Sequence, residues 1–566
     1  MSTQQPPCPL LLPADQADAV RYASLHFRSL SLSPRQICDL ELLLTGAYAP
    51  LTGFLGQSDC ENVLAVMRLA DGTPWPLPVS LDVPDALAEE LRPGERLALR
   101  DGEGFMLAAL DVESVFRIDP EPTARTLFGV DDLQAHPGAV AYLRETHRYR
   151  VAGAVHGLSL PIHCDYTALR QTPAAIRSAL AQRGWRTVLG CLNGPFPGRR
   201  DRAEILDAAM GCGASVLLLH PAGNVMAPGA EHFAAVRCAA HFADTFSPTL
   251  RFLGLLPYQP LWAGPRQALL EALIAKNCGC THFLVEPHHG DPMAHRGATP
   301  CTPAGAAQRL VASFADETGI AMVPRSAMVY VEERAQYLPR AAVSADETVR
   351  ELADTERRRR LEFDLPLPDW YTFPAIEAEL RQAFPPRSRQ GFTLLMTGLS
   401  GAGKSTLAKL LYVKFMELRT RPVTLLDGDI VRRHLSSELT FSKVHRNLNV
   451  ERIGFVASEI TKNGGIALCA PIAPYASARA QAREMVGRYG GFVEIYLATP
   501  LAVCEQRDRK GLYAKARAGI IKGVTGIDDP YEVPTDAEIV LDTTHLSPSQ
   551  AVQEVLLYLE RQGYLA

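Results

Sequence analysis

The stretch Gly398-Leu399-Ser400-Gly401-Ala402-Gly403-Lys404-Ser405 constrains this chain more than any other. It lies between an apolar run, Phe392 to Thr397, and a helical pattern of Leu407, Leu410, Leu411, Phe415 and Leu418. The reading is strand, glycine-rich turn, helix, with G-x-x-x-x-G-K-[ST] spacing. Glycines let the backbone curl until several N–H groups face one anion. The helix that follows brings its positive end to the same point. Lys404 is spaced to reach the terminal phosphates of a nucleotide, and the Ser405 hydroxyl to ligate Mg²⁺. Gly398 through Ser405, with Thr406, form the expected nucleotide-binding set.

At 566 residues the chain is too long for one core, so two to four domains are expected. The net charge of −5 gives no basic face for nucleic acid or a membrane surface. Met1 to Asp15 lacks the basic start and apolar run of a signal peptide, and no run of about 18 apolar residues suggests a membrane span. The twelve cysteines include no CxxC pair and are spread through apolar segments such as Ile466–Ala470. Buried free thiols in a reducing, cytoplasmic compartment are the expectation.

Residues 391–566 read as one α/β unit. Strands are expected at Phe392–Met396, Val423–Leu426, Ile466–Ala470, Phe492–Ala498 and Glu538–Leu541. Helices are expected at Lys404–Leu418, Glu451–Asn463, Leu501–Arg507 and Ser549–Arg561. The second strand ends in Asp427-Gly428-Asp429. Two carboxylates at a strand end facing the glycine loop suit Mg²⁺ and proton abstraction from an attacking hydroxyl. The competing reading is a turn closed by Asp side chains.

Earlier in the chain, residues 166–345 alternate short apolar runs with helical stretches, the pattern of a parallel sheet. The runs are Arg186–Gly190, Ser215–His220, Arg251–Leu256 and Thr281–Val285. The helical stretches are Pro173–Arg183, Arg202–Met210, Pro265–Lys276 and Ala304–Thr318. Residues 1–165 are strand-rich and punctuated by Pro and Gly. Ala345–Glu362, with Arg357-Arg358-Arg359-Arg360, reads as a solvated helix within a small linker domain, 346–390. The fold class is α/β multidomain.

The last unit resembles adenylylsulfate (APS) kinase. The matching residues are Gly398–Ser405, Asp427-Gly428-Asp429 with Arg432, Phe441-Ser442 with Arg446 and Asn449, Pro474-Tyr475, Arg507-Asp508, Lys510-Gly511-Leu512-Tyr513 and Thr525 to Tyr531. The resemblance implies a C-terminal P-loop kinase domain that moves the γ-phosphate of ATP to the 3′-hydroxyl of APS, giving ADP and 3′-phospho-APS (PAPS). It implies Asp429 as base and Asp427 on the Mg²⁺ side with Ser405, though the two carboxylates could exchange roles. Arg507 belongs with the ATP site. Arg432 and Arg446 suit the phosphosulfate, because a planar guanidinium reads oxyanions well. Phe441 is expected to stack on the adenine of APS, Asn449 to hydrogen-bond the substrate, and Lys510 to contribute from a lid spanning Lys510 to Tyr531. Two departures stand out: Ile430 replaces the usual Asn, and Ala473 replaces a Ser that some members phosphorylate.

Residues 1–345 resemble ATP sulfurylase. The resemblance rests on Leu40 to Leu55, Gly72–Pro78, His136–Val140, Arg183-Gly184-Trp185, His220-Pro221, Ala263–Arg266, Asn277–Phe283 and Met328-Val329-Tyr330. It implies a β-barrel-like, PUA-like N-terminal domain over 1–165 and a Rossmann-like sulfurylase domain over 166–345. The family site is altered. Its Q-T-R-N-P-x-H-x-x-H motif reads Asn193-Gly194-Pro195-Phe196-Pro197-Gly198-Arg199-Arg200-Asp201-Arg202 here, so Arg and Asn become Pro195 and Phe196, and the two His become Arg199 and Arg202. G-R-D-H-A-G reads Glu286-Pro287-His288-His289-Gly290-Asp291, and a further Arg reads Leu261. Losing one preorganised donor to developing charge costs about 2.7–4 kcal/mol. The expectation is an APS kinase whose sulfurylase-like half is structural or regulatory, supplied with APS by a separate sulfurylase. The alternatives are a bifunctional enzyme, in which Arg199, Arg200 and Arg202 form a rearranged anion site, and a regulatory module that has lost catalysis. ATP and APS are the expected ligands, Mg²⁺ the cofactor, and a homo-oligomer, dimer to hexamer, the expected assembly.

Overall fold

The computed structural model describes residues 9–223, 229–295, 297–419, 421–508 and 510–565, with the backbone alone at Ala230, His295 and Asp429. The chain divides into two compact units: residues 1–357 with 367–383, and residues 358–366 with 384–566. No helix among the described residues is long and apolar enough to cross a membrane.

The first unit opens with a six-stranded sheet of β1 (Arg28–Ser31), β2 (Gly53–Phe54), β3 (Leu81–Val83), β4 (Arg96–Arg100), β5 (Met106–Arg117) and β6 (Tyr149–Gly157). Its order is β1-β4-β5-β6-β2, with β3 also paired to β6. The sheet is open, which corrects the barrel-like expectation. The short β2 and β3 both dock on β6, and no described pairing joins β1 to the far edge. Closure would require long, staggered edge strands.

The second sheet is parallel throughout and runs β11-β10-β7-β8-β9: β7 (Val188–Leu192), β8 (Ser215–Pro221), β9 (Arg251–Leu256), β10 (His282–Val285) and β11 (Ala321–Pro324). Each expected apolar run becomes one of the strands β7 to β10, because a parallel sheet covered on both faces buries nearly every position of its inner strands. The strand order reverses at β7, which opens a crevice beyond the carboxyl ends. The helices Arg199–Cys212, Ala230–Ala243 and Pro265–Asn277 flank this sheet. Ala230–Ala243 escapes a periodicity reading because its buried face is largely alanine. The expected helix Ala304–Thr318 breaks at Phe314 into Ala306–Ser313 and Ala315–Thr318. A three-stranded sheet follows: β12 (Met328–Val331), β13 (Gln336–Pro339) and β14 (Val349–Arg350). The helix expected over Ala345–Glu362 therefore begins only at Asp354. Val349 and Arg350 pair instead with Val331 and Tyr330.

The second unit is a parallel sheet of order β16-β17-β15-β18-β19: β15 (Phe392–Gly398), β16 (Val423–Asp427), β17 (Ile466–Ala470), β18 (Gly491–Leu497) and β19 (Ile539–Leu541). All seven β15 residues are buried, and the glycine loop leaves this central strand of the sheet. The long helix expected from Glu451 starts earlier, at Lys443, because the Ser442 side chain accepts the His445 N–H and caps it.

Candidate active site

The glycine loop connects β15 to the helix Lys404–Leu418. Gly398 has φ +142°, and a Cβ there would lie 2.7 Å from the Leu497 carbonyl oxygen; Gly401, at φ +82°, meets Cys504 in the same way. These backbone positions favour glycine on both conformation and space. Lys404 folds back into the loop, and its Nζ donates to the carbonyls of Gly398 (2.8 Å) and Leu399 (2.7 Å). Burial lowers its pKa to about 8, with Lys510 pushing the same way and Asp427 opposing. Ser405 and Thr406 are exposed in the first helical turn.

The outer face of the loop is clamped from distant parts of the unit. Tyr513 Oη donates to Ser400 O (2.9 Å), and Thr543 Oγ1 to Ala402 O (3.0 Å). Arg507 donates from Nη1 to Thr543 Oγ1 (2.8 Å) and to Gly401 O (3.4 Å), and from Nη2 to Thr543 O (2.7 Å). Arg507, expected at the ATP site, thus lies against the glycine loop and braces it. Nothing local in the sequence marks Thr543 or its hydrogen-bond partner Thr499 for this role.

Asp427 ends β16 and is buried, close enough to Lys404 to affect its titration. With the Ser405 hydroxyl it gives the hard oxygen donors that Mg²⁺ takes. Asp429 lies in the first turn of the helix Gly428–His434, and its side chain lies outside the described residues.

The remaining expected residues cluster on the long helix and the segment before it. The Arg432 guanidinium sits 4.4 Å from the Phe441 ring centroid, and Phe441 is 66% exposed. Asn449 is buried, and its Oδ1 has no hydrogen-bond partner among the described residues. Arg446 Nε donates to Phe441 O (2.8 Å), and its Nη1 to Thr525 Oγ1 and Asp529 Oδ2 (both 2.6 Å). Tyr475 Oη also donates to Asp529 (3.1 Å), and Tyr531 Oη and Thr397 Oγ1 share a hydrogen bond of 2.8 Å. The expected lid segment is thus tied to the long helix through Arg446. Lys510 is exposed at its start.

A second site opens in the first unit, beyond the carboxyl ends of β7 to β10. It is a cavity of about 550 Å³ whose lining includes Asn193, His220, Tyr258, Trp262, Glu271 and Glu286. Among the described residues that line it there is no lysine or arginine.

Comparison with known proteins assigns these regions. Residues 390–542 match the adenylylsulphate kinase family model, 167–383 the ATP-sulfurylase model and 8–160 a PUA-like domain. Over 94% of both chains the sequence is 41% identical to a sulfate adenylyltransferase of Mycosarcoma maydis. It is 38% identical to one of Emericella nidulans over 97% of this chain and 96% of the relative. The chain belongs to the sulfate adenylyltransferase family, with an ATP-sulfurylase region fused to an APS kinase region. A solved hexameric APS kinase from Thiobacillus denitrificans is similar over 99% of this chain and 98% of its own, at 40% identity and a TM-score of 0.82.

The sulfurylase region places its three motif arginines away from the cavity's described lining. Arg199 Nε donates to Thr372 O (3.1 Å), and its guanidinium lies over Phe373. Arg202 Nε donates to Thr245 O (3.1 Å), with its guanidinium over Phe246. Arg200 approaches Glu204 at 3.7 Å. Arg325 gathers three carboxylates, those of Glu204, Asp201 and Glu286. His289 Nε2 meets Glu271 Oε2 at 2.6 Å; burial lowers the imidazole's pKa, but the carboxylate outweighs it and the net shift is upward. Burial holds His220 down at about 4.

Proposed function

We propose that this chain is an adenylylsulfate kinase acting on ATP and APS. The observation that carries the reading is the intact glycine loop with Lys404 buried in it beside Asp427. When ATP binds, the loop amides and Lys404 take the β- and γ-phosphates in place of the two loop carbonyls. Ser405 and Asp427 would hold Mg²⁺, which would supply neutralisation of the triphosphate charge. APS lies along Phe441, Arg432, Arg446 and Asn449, and the unpartnered Asn449 Oδ1 accepts a substrate donor. The 3′-hydroxyl attacks the γ-phosphorus in line, its proton passes to Asp429, and the bond to the β,γ-bridging oxygen breaks to release ADP. The segment around Asp529, tied to Arg446, closes over the site and excludes water. Lys404→Ala and Asp429→Ala each abolish PAPS formation in this account; near-normal rates in either would refute the role assigned.

For the sulfurylase region we infer that adenylyl transfer has been lost. The support is the cavity: carboxylates and aromatics line it, and Arg199, Arg200 and Arg202 engage other protein groups. Pyrophosphate leaving ATP needs cationic donors already in place. A second reading, an active bifunctional sulfate adenylyltransferase and APS kinase, is favoured by the name carried by the full-length relatives. Pyrophosphate release from ATP and sulfate decides between them. We also take the chain to be a homo-oligomer, in line with its hexameric neighbour.

A further inference from the structure

Arg446 stands on the substrate side already committed to protein groups. It is 8% exposed. Its Nε donates to Phe441 O, its Nη2 to Gly523 O, and its Nη1 twice, to Thr525 Oγ1 and Asp529 Oδ2. Three of these acceptors are neutral. The fourth is a carboxylate at 2.6 Å, in an ion pair with the guanidinium.

The turn that presents this carboxylate holds itself in place. Asp528 accepts the N–H groups of Gly523 and Val524, both at 2.6 Å, and the Gly526 N–H donates to Asp529 O at 2.8 Å. Gly526 has φ +93°, and a Cβ there would lie 3.0 Å from Leu399 Cδ2 of the glycine loop. Tyr475 Oη donates to Asp529 Oδ2 at 3.1 Å. Asp529 is therefore set against Arg446 by the build of its own turn, while Asp528 is engaged by backbone amides.

An oxyanion that binds Arg446 through Nη1 competes with a carboxylate already there. Leaving either partner of a buried ion pair alone is costly, so the incoming anion must replace Asp529 in full. Inorganic sulfate and phosphate bring only their charge. APS brings an oxyanion together with an adenine for Phe441 and a ribose, and this additional binding drives the exchange. A built-in competitor of this kind discriminates by penalising the wrong ligand.

We propose that Asp529 is a specificity-determining residue: it occupies Arg446 in the free enzyme and yields only to an oxyanion joined to a nucleoside, which keeps inorganic sulfate and phosphate out of the APS site. The inference rests on the reading that Arg446 takes the phosphosulfate of APS. Phe441 O and Gly523 O keep Nε and Nη2 during the exchange, so the segment stays tied while Nη1 passes from Asp529 to the substrate.

Initial rates of ADP release by the full chain test this. APS is varied with and without sodium sulfate, at an ionic strength held with sodium chloride. Asp529→Asn keeps the size of the side chain and removes its charge. Its APS KM is expected to fall about tenfold, or 1.4 kcal/mol, and competitive inhibition by sulfate to strengthen about tenfold. Thr525→Val takes a neutral acceptor from the same Nη1, and its APS KM is expected to fall about threefold. Thermal unfolding shows which variants are folded, and Thr525→Val carries the test if Asp529→Asn is not. An APS KM that rises or holds steady in Asp529→Asn, or in Thr525→Val if only that variant folds, overturns the proposal, because Asp529 then merely orients Arg446. Sulfate that inhibits the wild type as strongly as Asp529→Asn also overturns it. Arg446→Lys separates this inference from the reading beneath it. Its APS KM is expected to rise about tenfold or more, and an unchanged value removes Arg446 as the phosphosulfate ligand rather than the competition alone.

Discussion

Lys404 gives the sharpest test of the kinase site, because its environment sets both a magnitude and a pH. Burial takes the ammonium from 10.5 to about 8, which at 1.36 kcal/mol per pH unit is about 3 kcal/mol of lost preference for the charged form. The sign follows directly. In the free enzyme Lys404 is charged below pH 8 and loses its proton as pH rises through that value. A neutral amine attracts the triphosphate poorly, so kcat/KM for ATP falls about tenfold per pH unit above about 8. Bound phosphate restores a counter-charge and raises the pKa, so the same limb in kcat lies at higher pH. Lys404→Met is expected to lower kcat by about 10²–10³, the loss of one preorganised donor, and to abolish the alkaline limb. The assay is coupled ADP release at saturating APS, from pH 6.5 to 10. A flat wild-type profile through pH 9.5, or an alkaline limb surviving in Lys404→Met, would refute the assignment.

Three further outcomes follow from contacts described above. Tyr513→Phe removes only the bond to Ser400 O, so the ATP KM rises several-fold while stability drops about 1 kcal/mol, read by ATP titration and thermal unfolding. Asn449→Leu removes a buried amide whose Oδ1 has no partner; it raises thermal stability by up to about 1–3 kcal/mol and raises the APS KM at least tenfold, and a lowered stability would count against the site as described. Arg325→Met removes the arginine that three carboxylates share and costs about 3–5 kcal/mol; a melting temperature within a degree of wild type would mean that the cluster is solvated.

Much of the kinase unit is legible in the sequence, for a physical reason. Its inner strands β15 and β17 are short apolar runs buried on both faces, and Lys404–Leu418 has the bounds that its leucine spacing implies. The loop, Asp427 and the cluster around Arg446 are local patterns, and the structure brings them to one end of one sheet. The clamp on the loop is not legible. Thr543 braces Ala402 across 141 residues, and an isolated threonine after a strand carries no signal of that. The bonds of Arg507 to Gly401 and Thr543 are not legible for the same reason, since they too span distant parts of the chain. In the sulfurylase region the departures expected at Pro195, Phe196 and Glu286 are read from the chain alone. The direction taken by Arg199 and Arg202 is not, because Phe373 and Phe246 lie far off in sequence. The alanine-rich helices Ala230–Ala243 and Ala476–Gly487 lack the leucine stripe that marks the others.

The central claim, a working kinase beside a sulfurylase region that no longer transfers adenylyl groups, is tested most directly by one paired measurement on the full-length protein. One reaction receives ATP, Mg²⁺, sulfate and pyrophosphatase; the other receives ATP, Mg²⁺ and APS; PAPS is followed by chromatography in both. The account predicts PAPS from added APS and none from sulfate. PAPS from sulfate would establish the bifunctional reading, and no PAPS from APS would contradict the kinase assignment itself.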